Sequence, residues 1–315
     1  MENIAYIITA YKDPIHLRRL INALDFHADF YIHIDRKADI RTFRKEFSSI
    51  QRKIYYISKY HISWGGYSQV LSQRELLHAV ISSGEQYKRV VCLSGQDYPI
   101  LSNIRIHKRF DENSRKEFIG GINISHDAPK QLHKIVHYNL FDLFSGKYPI
   151  LNRIMRKLLN MMNNTLNLTK QNQSWLNGKV ADIFFGSDYW AITYDCAKYV
   201  YNSLCSEKKF LKYMKTAYAP SELCINTIVF NSEFGKNAIR IAKDYDKGLE
   251  GYEAFEKISL IHYVVYKEKV YSLDDSDFSN ILNSHKMFFR KAETGISDKL
   301  MDRIDELRET ETLQL

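Results

Sequence analysis

The sequence predicts an α/β fold, a mainly parallel sheet flanked by helices. Two observations predict it: apolar strand-like runs alternate with amphipathic stretches, and the connections are short. Residues 4–9 form the first apolar run, as expected of a strand buried on both faces. Pro14 opens a helix whose apolar positions include Ile15, Leu17, Leu20 and Leu24, because proline suits a first helical turn. Residues 30–34 are a second strand, ending at Asp35, and a basic helix over 40–47 leads to a third strand at 54–57. The Trp64-Gly65-Gly66 turn precedes a helix near 68–81, and the fourth strand, 89–93, ends in a loop at 94–99 that holds Asp97. Ligands of parallel sheets bind beyond the carboxyl ends of the strands, so Asp35 and Asp97 are candidates, although turns also favour Asp.

Residues 125–180 are less regular and include an Asn-rich stretch at 163–173. Before it, Ile150, Leu151, Ile154, Met155, Leu158 and Leu159 recur at helical spacing over 148–162, interleaved with Arg153, Arg156 and Lys157. Such a helix packs on its own domain or lies on an anionic membrane. Strand character returns at 183–185, helices follow to about residue 232, and a last helix is expected near 297–307. No repeat or Pro/Gly/Ser linker divides the chain, so 1–315 reads as one domain.

Lys and Arg number 45 against 37 Asp and Glu, a net charge of +8, which favours anionic partners such as phosphates or a membrane surface. The basic residues are dispersed and no nucleic-acid module is recognisable, so nucleic acid is not expected. Cys92, Cys196, Cys205 and Cys224 show no metal or redox spacing, which suits a reducing compartment. With no secretory pattern at the start and no long apolar run, the expectation is a cytoplasmic protein, at most peripheral at the inner face of the membrane. The phosphate loop, the dinucleotide fingerprint, the zinc-protease helix and the serine nucleophile elbow are all absent. Asp274, Asp275 and Asp277 precede an apolar helix and read as a solvated cap.

Six segments in order carry a resemblance. They are Ile32-His33-Ile34-Asp35-Arg36-Lys37, Trp64-Gly65-Gly66-Tyr67-Ser68, Leu93-Ser94-Gly95-Gln96-Asp97-Tyr98-Pro99-Ile100, Gly186-Ser187-Asp188-Tyr189-Trp190, Ala219-Pro220-Ser221-Glu222 and Phe288-Phe289-Arg290-Lys291. Together they resemble the core-2/I-branching β-1,6-N-acetylglucosaminyltransferases, the peptide O-xylosyltransferases and related plant glucuronosyltransferases. The resemblance implies a GT-A-type fold, with a nucleotide-binding half over about 1–120 and an acceptor-binding, catalytic half over about 121–315. It also implies an inverting UDP-sugar-dependent enzyme that needs no metal and no other cofactor. On this resemblance Glu222 is the catalytic base, and Asp35, Trp64, Gly65, Asp97, Arg290 and Lys291 bind the donor. Gly186, Ser187, Asp188, Tyr189 and Trp190 line the sugar and acceptor junction. The stretch 257–266 departs from the family pattern, which often has another Arg and an Ile-Asp-Trp-like segment there.

The chemistry asks for these residue types. Inverting transfer needs a base within about 3 Å of the attacking hydroxyl, and a carboxylate can serve. Departing UDP gains negative charge, which Arg290 meets with a planar fork and Lys291 with a point charge. Outside the motif order, Glu222 would read as a helix cap and Arg290-Lys291 as a surface pair. The expected partners are a UDP-sugar and a glycan or lipid-linked oligosaccharide acceptor in surface polysaccharide synthesis. N-acetylglucosamine is the first choice of sugar and xylose the second. Two rival readings stay open: a glycoside hydrolase using Asp188 and Glu222, and a non-catalytic protein that binds glycans or sugar nucleotides.

Overall fold

The computed structural model describes residues 2–50, 52, 54–144, 149–166, 169–241, 258–266 and 270–313. Tyr148 and Lys257, at the edges of two stretches named above, and residues 167–168 of the Asn-rich stretch lie outside the described residues.

The first half alternates as expected: β1 (Asn3–Ala10), α1 (Pro14–Leu24), β2 (Ala28–Ile34), α2 (Ile40–Phe47), β3 (Ile54–Ile57), α3 (Ser68–Ser82) and β4 (Tyr87–Ser94). The main sheet runs β10-β4-β1-β2-β3, where β10 is Ala191–Thr193. β1 to β4 are parallel and β10 pairs antiparallel to β4. Side chains alternate across β1, as strand geometry requires. Ile4, Tyr6 and Ile8 join a core with α1 and α2, while Ala5 and Ile7 join a second core with α3 and the later helices. Both faces of the sheet are thus covered, which explains the continuous apolar runs.

Caps fix where helices begin. Asp13 accepts the His16 N–H at 3.1 Å and also the Thr294 N–H and hydroxyl at 2.8 and 2.7 Å, so one carboxylate starts α1 and ties it to the far end of the chain. Asp39 caps α2 through the Arg41 N–H. Asp274 and Asp277 form a capping box on the turn Asp275–Asp277, the role expected of that acidic run.

The loop expected at 94–99 is a strand in part. β5 (Asp97–Pro99) pairs antiparallel with β13 (Phe288–Arg290), which in turn pairs parallel with β12 (His262–Val264). A three-residue strand has too little alternation to show in a sequence; its partner lies nearly two hundred residues away. In this small sheet Asp97 sits directly opposite Arg290. A third sheet, β11 (Ile239–Arg240), β6 (Gly120–Asn123) and β9 (Phe184–Gly186), carries the segment leading to Asp188.

Candidate active site

A cavity of about 930 Å³ opens at the carboxyl ends of the parallel strands, where the strand order reverses around β1. Thr9, Ala10 and Tyr11 at the end of β1, His33 and Asp35 at the end of β2, and Ser94, the last residue of β4, form one wall. Asp188, Tyr189, Tyr218, Glu222, Arg290 and Lys291 form the other.

Asp35 is buried and accepts backbone N–H groups from Lys37 at 3.0 Å and Ile62 at 3.2 Å, with the Lys37 ammonium 3.5 Å away. These bonds fasten two loops together at the cavity edge. Beside it, His33 Nε2 accepts the Lys59 and Tyr60 N–H groups at 3.3 and 3.1 Å, which requires the neutral ring. Burial accordingly pulls the His33 pKa down to about 4.

Glu222 ends the 3-10 turn Pro220–Glu222, just ahead of the helix α9 (Cys224–Phe230), rather than starting a helix. Its carboxylate accepts from Lys134 Nζ at 3.0 Å and keeps 21% of its side-chain surface exposed. Lys134, from the short helix α5 (His133–Val136), lies 3.9 Å from the Phe185 ring centre and 5.4 Å from that of Tyr218. This cation–π seat holds the ammonium still, and through it Glu222 is oriented. Asp188 lines the same cavity, and its carboxyl pKa is pushed up to about 7. Burial is the main cause and the Glu222 carboxylate the second. A raised acid beside a second carboxylate is the kind of pairing that marks reaction centres.

Arg290 reaches the cavity with its guanidinium 4.6 Å from the Tyr189 ring centre and Nη1 2.9 Å from the Asp97 carboxylate. Burial alone would depress its pKa, but Tyr189, Asp97 and Asp188 outweigh it and hold the charge firmly. Asp97 is fully buried and also accepts from the Ser94 N–H at 2.7 Å and from His262 Nε2 at 2.9 Å. Burial works to raise its pKa, yet His262, Arg290 and the Ser94 N–H pull it below the ordinary carboxylate range. Lys291 follows on the cavity wall.

The structure therefore brings together Asp35, Trp64, Asp188, Tyr189, Glu222, Arg290 and Lys291. It places the other expected site residues behind the wall. Asp97 does not line the cavity but anchors Arg290 from beneath. Gly65 sets the turn with φ 73° and offers its carbonyl to the Ala219 N–H at 3.0 Å, linking the Trp64 turn to the Glu222 segment. Gly186 is a packing glycine: a Cβ there would meet the Gly120 carbonyl at 2.0 Å. Ser187 is buried and accepts the Tyr189 N–H at 3.1 Å, and Trp190 is fully buried in the core. A motif marks a segment, and within this one only Asp188 and Tyr189 line the cavity.

Lys134, Lys130, Gln69, Tyr218 and Tyr266 line the cavity without having been singled out in the sequence. Lys134 sits in an irregular stretch with no periodicity or motif around it, so no local signal exposes it. Among the described residues, no group of three or more His, Cys, Asp or Glu is placed to share a metal ion.

The family description "Core-2/I-Branching enzyme" matches residues 4–245. The chain is 25% identical over 228 residues to a mouse protein named beta-1,3-galactosyl-O-glycosyl-glycoprotein beta-1,6-N-acetylglucosaminyltransferase 4, covering 70% of this chain and 45% of that protein. It is 25% identical over 224 residues to a human N-acetyllactosaminide beta-1,6-N-acetylglucosaminyl-transferase, covering 70% and 50%. It thus spans about half the length of these relatives. Among solved structures, apo mouse xyloside xylosyltransferase 1 matches 82% of this chain and 93% of that one, at 10% identity and a TM-score of 0.35. The match runs from β1 past the Glu222 segment and takes in most of the chain, so the chain belongs to the core-2/I-branching enzyme family.

Proposed function

We propose that this protein is an inverting, metal-independent glycosyltransferase that moves N-acetylglucosamine from a UDP-sugar to a glycan hydroxyl. One observation carries the reading: a carboxylate, Glu222, and a cationic pair, Arg290 and Lys291, face the same cavity at the carboxyl ends of a parallel sheet. In the reaction, the acceptor oxygen bonds to the anomeric carbon while Glu222 takes its proton. The bond from that carbon to the phosphate oxygen breaks, and UDP leaves with the electron pair. Arg290, preset by Asp97, and Lys291 meet the new charge, the part a metal plays elsewhere. Asp35, Trp64 and the β1 and β2 ends form the nucleoside wall, and Asp188 and Tyr189 face the sugar. The activities for which the mouse and human relatives are named favour N-acetylglucosamine over xylose. Surface polysaccharide synthesis on a lipid-linked acceptor, at the cytoplasmic face of a membrane, completes the reading.

A second reading has its own support. Asp188, with its raised pKa, beside Glu222 could act as the acid of a glycoside hydrolase. A panel of UDP-sugars separates the two. Transfer predicts UDP release that depends on acceptor and survives excess EDTA; cleavage of a simple glycoside without nucleotide sinks it. Loss of activity in EDTA with recovery in Mn²⁺ would overturn the metal-independent part alone. Binding of UDP without turnover, unchanged in Glu222→Gln, would leave a binding protein.

A further inference from the structure

The helix α6 (Pro149–Thr165) departs from what a surface helix of a globular protein does with its apolar stripe. Leu151, Ile154, Leu158, Met161 and Met162 recur at spacings of three and four, on one face, and Leu166 follows just past the end. Each of these side chains is between 43 and 60% exposed. A helix packed on its own domain would bury this face.

Charge says what covers it. Between Asp142 and Asp182 the chain has no acidic residue and six basic ones: Lys147, Arg153, Arg156, Lys157, Lys170 and Lys179. A second copy of the chain would bring this basic segment against itself, with +8 on each partner. An apolar helix face in an acid-free, basic segment is the composition of an interfacial helix. At 17 residues, α6 is about 26 Å long, and no described helix is long and apolar enough to cross a membrane. It would lie on the surface rather than span it.

The root of α6 is fastened to the active site. It packs on the 3-10 turn Phe141–Phe144, where Asp142 accepts from the Ser68 N–H at 2.9 Å and hydroxyl at 2.6 Å. The Phe141 ring meets that of Tyr218, a cavity residue, edge-on at 5.7 Å. We propose that the exposed apolar face of α6 docks this protein on an anionic lipid bilayer and so holds one wall of its cavity near the membrane surface. Presentation of a lipid-borne acceptor to Glu222 then follows, and this consequence rests on the transferase reading; the docking does not.

The test is co-sedimentation of the full chain with vesicles of phosphatidylcholine alone or mixed with phosphatidylglycerol, at low and high salt. Binding should need the anionic lipid, weaken with salt, and fall at least about tenfold in the double variant Leu158→Gln, Met161→Gln. That variant should keep the parent's thermal unfolding and its release of UDP with soluble substrates. Failure to bind anionic vesicles at low salt overturns the proposal. So does equal binding by the double variant, which would assign the affinity to net charge elsewhere. A dimer that the double variant dissolves, without vesicle binding, would instead make the face a contact between copies. Loss of UDP release with vesicle binding intact would count against the transferase reading alone.

Discussion

Replacing Asp188 by Asn should stabilise the protein, and by more as the pH rises. The native carboxyl has its pKa pushed up to about 7, by burial first and by the Glu222 carboxylate second, whereas an Asp in the unfolded chain titrates near about 3.9. From about pH 4 to pH 7 the native state keeps a proton that the unfolded chain has lost, so parent stability falls across that window and is level above it. Each pKa unit corresponds to about 1.4 kcal/mol, and a shift of about three units sets a ceiling of ~4 kcal/mol. The side chain is partly open to the cavity, where water screens it, so ~1–2 kcal/mol is the expected gain for Asp188→Asn at about pH 8. The assay is urea unfolding of parent and variant at about pH 5 and about pH 8, read by tryptophan fluorescence with linear extrapolation. The variant's advantage should widen by about 1 kcal/mol between the two. An advantage that is flat with pH, or a variant that loses ground as pH rises, would refute the claim that this carboxyl is held against its own charge.

Four further outcomes are expected. Glu222→Gln should lower kcat by about 10²–10⁴ while UDP still binds, measured by UDP release and by calorimetry. Lys134→Met, which removes the 3.0 Å partner of Glu222, should cost up to about 10² in kcat with UDP affinity within about twofold. Asp97→Asn should destabilise by about 3 kcal/mol at neutral pH, because it leaves Arg290 without its buried partner. Since the Asp97 pKa is depressed in the native state, that stabilisation is present above about pH 3.9 and lost as pH falls through its native pKa; acid unfolding curves of parent and variant should converge there. Gly186→Ala should cost about 3 kcal/mol in urea unfolding, the upper end for overpacking, since its Cβ has a backbone carbonyl in the way.

Much of the architecture was legible because parallel strands buried on both faces write themselves as apolar runs. β1 to β4 and the helices between them fall close to where the alternation puts them. The short strands β5, β12 and β13 were not legible, since three residues cannot show a period. Site segments were legible as motifs, but single residues within them were not. In Gly186-Ser187-Asp188-Tyr189-Trp190, only Asp188 and Tyr189 reach the cavity, while the remaining three pack behind it.

Local pattern by itself determined the α/β class and the strand end that carries Asp35, while the order of motifs along the chain, through its family resemblance, marked the segments that hold Glu222 and Arg290. Those are matters of short-range periodicity and order along the chain, which a sequence records directly. Only the tertiary structure decided that Asp97 lies beneath Arg290 rather than against a ligand, that Lys134 grips Glu222, and that Asp188 shares their cavity. These contacts join residues 34 to 193 positions apart, and burial and charge act on distance in space, not along the chain.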